Sequence, residues 1–151
     1  MLTRILALAA IGLWVLLVGV AAFFFLRGMT TRSQDGRQAI ALSASERDAV
    51  LGEMRGMLTS VQGILAGLSA RDMGQVAAAA RASGMAMAVD ATPALVAKLP
   101  LAFKNLGFTV HRGFDALGES ASQGEPPARI LAQLSAQVQL CVSCHAAYRL
   151  P

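Results

Sequence analysis

The sequence has few cysteines, few aromatic residues and no strand-like pattern, and each absence excludes a class of protein. Both of its two cysteines fall within the last eleven residues. They cannot cross-link a whole domain by disulfides, so they are more consistent with a functional site. With 5% aromatic residues, a net charge of +4 and no basic cluster, no nucleic acid is expected as a partner. No run alternates with a period of two, so no sheet is predicted. No nucleophile–base pair or carboxylate dyad is recognisable, so we expect no enzyme.

One long apolar run is present near the N-terminus. Ile5 to Leu26 carries no charge over 22 residues, which is long enough to cross about 30 Å of hydrocarbon as a helix. A cleaved secretory signal has a shorter apolar segment and small residues at its cleavage site, whereas this run ends in Phe-Phe-Phe-Leu-Arg. We therefore predict an uncleaved transmembrane helix over residues 5–26, with a cleaved signal as the alternative. Residues 1–4 are then a cytoplasmic N-terminus, and the polar, glycine-containing residues 27–42 a short tether.

Beyond the tether, apolar residues recur at the spacing of three and four that is typical of helices. The first predicted helix of this domain covers about residues 44–69. Ser43 and Glu46 form a capping-box pattern at its start, in which each side chain can bond the backbone amide of the other. Asp72 can cap a second, alanine-rich helix that continues to about Met87.

Two further helices are predicted in the C-terminal half. Pro100 can open the third, and residues 118–127 look like a loop before the fourth. One face of the fourth helix is expected to carry Ile130, Leu131, Leu134, Val138, Cys141 and His145. Four helices joined by short connections predict an all-α fold for residues 43–151, an up-down-up-down four-helix bundle preceded by the transmembrane helix.

The motif C-x-x-C-H at residues 141–145 is the pattern for covalent haem attachment. Cys141 and Cys144, three residues apart on a helical turn, can form thioethers to the two haem vinyl groups. The adjacent His145 is then placed beneath the iron as its proximal ligand. One covalent haem c with its iron is therefore the expected cofactor. Attachment to such motifs takes place in the bacterial periplasm. We thus expect a single-pass protein of the cytoplasmic (inner) membrane with its C-terminal domain in the periplasm, although the flanking charges alone do not decide the orientation.

Two other uses of the cysteines are weighed against haem. A tetrahedral zinc ion could take Cys141, Cys144, His145 and His111 as ligands, but structural zinc sites usually have tighter, paired spacing. A redox dithiol or a disulfide has no need of His145, and such pairs normally occupy a scaffold richer in strands.

A second axial ligand for the iron must come from earlier in the chain, because only six residues follow His145. In an up-down-up-down bundle, the end of the fourth helix lies level with the start of the first. Met54 is the favoured candidate, and Leu51, one turn nearer the helix start, is the alternative as a distal residue that does not ligate. His111 is expected midway along the third helix, too far from the haem. Less favoured candidates are Met57, Met85 and Met87, since methionines at helical spacing usually fill cores.

The C-terminal motif resembles that of the cytochrome c′ family, the class II c-type cytochromes. The family pattern C-x-x-C-H-x-x-Y/F-R is matched by Cys141, Cys144, His145, Tyr148 and Arg149. A second family segment, R-x-x-x-L/M-x-x-M, is similar to Arg47, Leu51 and Met54. The resemblance covers about residues 43–151, and a retained membrane anchor departs from the soluble members of the family.

The resemblance implies a four-helix bundle whose properties depend on the residue that faces the iron. A gapless alignment places Leu51 there and implies an open iron that binds NO or CO. A shift of three residues places Met54 there and implies an electron carrier. Arg149 resembles the family's basic residue near the haem, and a homodimer is a further option. The leading expectation is a cytochrome that carries single electrons between redox partner proteins at the periplasmic face of the membrane; the alternative is a high-spin haem protein that binds or senses NO or CO.

Overall fold

The protein is mostly helical. The computed structural model describes residues 2–151, apart from the side chains of Leu2, Val89 and Asp90. Met1, part of the predicted cytoplasmic N-terminus, lies outside the described residues. Within that range, 76% of the chain is helical. The α-helices are α1 Leu2–Arg27, α2 Ala44–Ala70, α3 Met73–Arg81, α4 Pro93–Lys98, α5 Leu101–Ser122 and α6 Pro127–Ala147, with a short 3₁₀ helix at Met87–Asp90. The prediction of a helical protein with an N-terminal apolar helix is confirmed.

Both predicted helix caps are present. The Glu46 amide donates to the Ser43 hydroxyl at 3.3 Å, and the Ser43 amide donates to the Glu46 carboxylate at 2.8 Å. At the start of α3, the Asp72 carboxylate accepts from the Gln75 amide at 2.9 Å. These side chains satisfy amides that have no partner within the helix, which is why the helices begin where the sequence indicates.

The second helix ends earlier than predicted. Helix α3 stops at Arg81 instead of continuing to about Met87. Past its end, Gly84 is buried with no room for a Cβ beside Asp115, and the Asp115 carboxylate accepts from the Met85 amide at 2.9 Å. A tertiary contact from α5 thus takes the place of the next helical turn.

The loop predicted for residues 118–127 is wrong over its first half. Helix α5 continues to Ser122, and Gly118 lies buried inside it. A Cβ at Gly118 would come within 2.9 Å of the Arg81 side chain and 3.2 Å of the Ala77 carbonyl oxygen. This glycine therefore lets α5 approach α3 closely and does not break the helix.

The predicted face of α6 is partly wrong. Ile130 and Leu134 are buried, but Leu131 is 51% exposed and Val138 is 36% exposed. Gln137 takes the inward position instead, where its side-chain amide donates to the Val110 carbonyl oxygen on α5. A polar residue that satisfies a buried carbonyl cannot be recognised from an apolar spacing pattern.

The helices enclose two hydrophobic clusters. Four helices, α2, α3, α5 and α6, share the larger one, whose fully buried members include Ile64, Val76, Phe114 and Ile130. The smaller cluster comprises Ile40, Val50, Leu95 and Leu99. It joins the starts of α2 and α5 to α4, a helix that the sequence did not predict.

A three-stranded sheet, also unpredicted, closes the smaller cluster. The strands are β1 Thr30–Arg32, β2 Gln38–Ile40 and β3 Tyr148–Arg149. Strand β2 pairs antiparallel with β1 and parallel with β3, so the segment predicted to be a tether is a hairpin bound to the C-terminal strand. The Asp35-Gly36 dipeptide at its turn, with φ +84° at the glycine, is a hairpin signal that the sequence does contain.

Helix α1 is long and apolar enough to cross a membrane, with a mean hydropathy of 2.7. Every residue from Thr3 to Arg27 is exposed, so the domain leaves most of the apolar surface of α1 uncovered. Its end is nevertheless docked on the domain. The Met29 amide donates to the Lys98 carbonyl oxygen at 2.8 Å, and the Lys104 ammonium lies 4.1 Å from the centre of the Phe25 ring.

Candidate functional site

The C-x-x-C-H motif lies in the last two turns of α6. Cys141 and Cys144 are half-buried free thiols, and the Cys141 thiol donates to the Gln137 carbonyl oxygen at 3.7 Å. His145 is exposed, and its imidazole has no hydrogen-bond partner within residues 2–151. The helical spacing leaves both sulfurs and the imidazole accessible near the helix terminus.

A cleft of about 240 Å³ opens beside this helix end. It is lined by residues from α2, α5, α6 and the sheet region: Arg37, Leu51, Met54, Phe103, Cys144, His145, Tyr148, Arg149 and Leu150. The predicted site residues Cys144, His145 and Arg149 thus meet both distal candidates, Leu51 and Met54. Cys141 lies one turn earlier on α6, outside this lining.

Apolar side chains form the walls of the cleft. Tyr148 meets Phe103 edge to face, with ring centroids 5.2 Å apart and planes at 90°. Met54 and Leu150 pack against the smaller hydrophobic cluster behind the cleft. The cleft therefore offers a flat apolar ligand a largely non-polar surface.

Two guanidinium groups and one carboxylate form the polar rim. Arg37 donates to the Asp35 carboxylate at 2.6 Å and to the carbonyl oxygens of His145 and Tyr148 at 3.3 and 3.5 Å. Arg149 donates to the Ser33 hydroxyl at 3.0 Å and lies 3.8 Å from Asp35. The Arg37 hydrogen bond lowers the pKa of Asp35 to about 2. The rim thus carries two positive charges against one negative charge.

Sequence reasoning missed Arg37 because it lies in the segment interpreted as a tether. Arg37 reaches the cleft only because β2 pairs with β3, a contact between parts of the chain more than a hundred positions apart. Phe103 was not singled out from the sequence as a site residue. The hairpin signal at Asp35-Gly36 was the one local pattern that could have indicated a folded segment here.

The electrostatics of the cysteines differ from those of a reactive dithiol. Burial raises the pKa of the Cys141 thiol, and burial followed by the proximity of Cys141 raises the pKa of Cys144. Reactive cysteines have lowered pKa values because a cation or a helix N-terminus stabilises the thiolate. Burial, with a smaller contribution from Cys144, also raises the pKa of Tyr148. These thiols are therefore held neutral at pH 7.

The remaining candidates lie elsewhere. Met57 packs against the larger cluster, and the Met87 side chain abuts Gly56 on α2. His111 is buried, with Nδ1 2.9 Å from the Ser83 carbonyl oxygen. Within residues 2–151, no group of three His, Cys, Asp or Glu side chains is placed to hold a metal ion, so the zinc alternative has no assembled ligand set. A haem iron, which the porphyrin also holds, needs only one or two protein ligands.

Comparison with known proteins adds no relative. The chain matches no protein-family model, no curated protein and no solved structure. The resemblance to the cytochrome c′ family therefore depends on the quoted sequence motifs alone.

Proposed function

We propose that this protein is a membrane-anchored class II c-type cytochrome that carries single electrons. Cys141 and Cys144 would hold one covalent haem c, with His145 as the proximal iron ligand. Helices α2, α3, α5 and α6 would form the up-down-up-down bundle of the cytochrome c′ family around it. The observation that carries the proposal is the single cleft in which Cys144 and His145 face Leu51 and Met54.

The residues present fit a covalent haem. Two free, half-buried thiols three positions apart suit thioether formation, and the exposed imidazole of His145 is accessible for ligation. The apolar contact between Tyr148 and Phe103 supplies a wall against which a porphyrin plane can lie. When bound, the haem would supply the Fe(III)/Fe(II) couple.

The basic rim suits the two carboxylates that a haem carries. Arg37 and Arg149 line the cleft, and among residues 2–151 the carboxylate that pairs with both of them is that of Asp35. Because guanidinium groups bind carboxylates through charge-assisted hydrogen bonds, these two side chains would fix the orientation of the propionates. Arg37 would also hold the end of α6 in place through the His145 and Tyr148 carbonyl oxygens.

Met54 is the proposed distal ligand. A thioether ligand in an apolar cleft raises the reduction potential and suits an electron carrier. Leu51 lines the same cleft one turn earlier, and this position supports the second candidate function, a five-coordinate haem protein that binds NO or CO.

The docked end of α1 supports a retained anchor over a cleaved signal. The backbone bond from Met29 to Lys98 and the contact of Lys104 with Phe25 would be lost or exposed by cleavage near residue 27. Since haem is attached in the periplasm, the domain would face outward from a bacterial inner membrane. Its partners would be redox proteins in the membrane or the periplasm, and a homodimer remains one option for its assembly.

Expression of the full chain in a host with cytochrome maturation tests the haem proposal. We expect a coloured protein whose mass is increased by one haem, and loss of that added mass in the double variant C141S/C144S. An optical spectrum with and without CO then tests the function. A low-spin spectrum that CO does not shift supports Met ligation, and a high-spin spectrum that shifts with CO supports the gas-binding alternative. Colourless, unmodified wild-type protein would contradict the whole proposal.

Three variants on α2 identify the distal residue. If Met54 ligates the iron, Met54→Ala converts the low-spin spectrum to high spin, whereas Leu51→Ala leaves it low spin. Met57→Ala is the matched control, since it removes a methionine of the same helix that packs in the larger cluster. Met54 would be rejected as the ligand if the wild-type spectrum were high spin and if, of the three variants, only Leu51→Ala bound CO faster than the wild type.

A further inference from the structure

A second cavity lies where α1 meets the domain. Its volume is about 500 Å³. The end of α1 contributes Leu26 and Arg27 to its lining, the β1–β2 hairpin contributes Thr31 and Arg32, and Ala102 contributes from the first turn of α5. The cavity is thus formed by the last residues of the apolar helix and the nearest surface of the domain. It shares Tyr148, but neither cysteine, with the cleft beside α6.

Two arginines line the cavity, and neither is paired with a carboxylate in the part of the chain that the structure describes. Among residues 2–151, the ion pairs of this region engage Arg37, Lys98 and Arg149, and neither Arg27 nor Arg32 has a carboxylate within 4 Å. The Arg27 guanidinium instead lies 5.5 Å from the centre of the Phe23 ring. Two arginines without a carboxylate partner, in a lining that also contains Thr30 and Thr31, supply the chemistry that recognises a phosphate group.

The position of the cavity makes a lipid the source of that phosphate. Helix α1 spans 26 residues, or about 39 Å at 1.5 Å per residue, so its ends reach the two headgroup regions when it crosses a bilayer. Leu26 lies on the cavity wall and is 57% exposed, which gives an acyl chain an apolar path from the cavity along α1.

We infer that this cavity binds the phosphate headgroup of one anionic phospholipid, with Arg27 and Arg32 as its cationic ligands. The site accounts for basic residues that the positive-inside rule does not favour on the periplasmic side, where the proposed function places them. It requires only that α1 spans the membrane, so it stands or falls independently of haem.

Lipid binding can be counted directly on the full chain. The protein in neutral detergent is titrated with phosphatidylglycerol or phosphatidylcholine, and the lipids retained are counted by native mass spectrometry. We expect one phosphatidylglycerol to be retained in preference to phosphatidylcholine. Arg27→Gln and Arg32→Gln should each weaken its binding about fivefold, the effect of removing one interfacial positive charge. Ala102→Trp should also weaken binding, because it fills the cavity without changing charge.

Arg112→Gln is the matched control, an exposed arginine on α5 outside the cavity lining. An equal loss of phosphatidylglycerol binding in this variant would show that the overall charge of the protein, and not the cavity, determines binding. That result would overturn the proposed site. Equal retention of the two lipids by the wild type, or unchanged retention in both cavity arginine variants, would also overturn it. A competition with glycerol 3-phosphate tests whether the free headgroup binds the cavity. If it displaces phosphatidylglycerol as strongly as the lipid itself does, the site binds soluble phosphate and the assignment to a lipid is wrong. Circular dichroism verifies that each variant keeps its helix content.

Discussion

Gly28 joins the apolar helix to the domain, and its replacement by alanine is expected to loosen that junction. Its φ is +63°, a left-handed conformation that costs an L-residue about 1–2 kcal/mol. A Cβ there would lie 2.5 Å from both the Lys98 carbonyl oxygen and the Pro100 nitrogen. These are backbone atoms that cannot rotate away, so the two segments must separate.

The separation removes the hydrogen bond from the Met29 amide to Lys98, worth about 0.5–1.5 kcal/mol. Together with the left-handed penalty, Gly28→Ala should therefore cost about 2–3 kcal/mol. For a domain of this size, we expect Tm to fall by about 10 °C. Trypsin should also cleave faster after Arg27, because the undocked junction becomes accessible.

Gly36→Ala is the matched control for backbone strain. Gly36 also has a positive φ, +84°, but a Cβ there meets nothing within 4 Å. Only the conformational penalty applies, so Tm should fall by about 5 °C and cleavage after Arg27 should not change. If the two variants lowered Tm equally and left trypsin cleavage alike, the close approach at Gly28 would be refuted.

Three further predictions concern the core, the stability of the protein at low pH and the position of α1 in the membrane. Ser83→Ala leaves the buried Ser60 hydroxyl without its 2.8 Å partner, so it should cost about 1–3 kcal/mol in chemical unfolding. The Lys98 hydrogen bond lowers the pKa of Glu46 to about 2 from 4.5, so its stabilisation is present above pH 4.5 and is lost as pH falls towards 2. Glu46→Gln should therefore flatten the stability profile between those values. Trp14 lies midway along α1, so lipids brominated deep in their acyl chains should quench its fluorescence more than those brominated near the headgroup.

Each of these predictions has a control or a contrary result. Ser143→Ala removes an exposed hydroxyl and should cost less than about 0.5 kcal/mol; an equal effect would show that the buried pair is not special. Asp48→Asn removes an exposed carboxylate from α2 and controls for the loss of one negative charge. If Glu46→Gln left the dependence of stability on pH between 2 and 4.5 unchanged, the ion pair would be contradicted. If lipids brominated near the headgroup quenched Trp14 most strongly, a spanning helix would be contradicted.

Local signals in the sequence predicted the helices well where one side chain decides a boundary. Ser43 with Glu46, and Asp72, cap amides within their own first turn, so no distant contact is needed to predict them. Glycine misled the prediction at residue 118 because the same residue type breaks a helix or lets two helices approach, and only the position of α3 distinguishes the two. Strands of two or three residues are too short to show a period.

The chemistry of the candidate site could be predicted from the sequence, but the residues that surround the motif could be predicted only in part. The motif indicates Cys141, Cys144 and His145 because their spacing is local, and helix geometry brings Leu51 and Met54 to the same end. Arg37 could not be predicted because its place depends on pairing between strands from opposite ends of the chain. The choice between Leu51 and Met54 at the proposed distal position depends on side-chain orientation, which the spacing pattern does not encode.

The parallel pairing of β2 with β3 also sets an order on the assembly of the protein. Strand β3 follows α6 directly. The hairpin at residues 30–40 can therefore pair with β3 only after ribosomal synthesis has passed Arg149. Arg37 can complete its side of the cleft only after that point, when the cysteines have already been made. If the cysteines carry a haem as proposed, Cys144 would be open from this side of the cleft until the hairpin pairs with β3, which would give an attaching enzyme access to it.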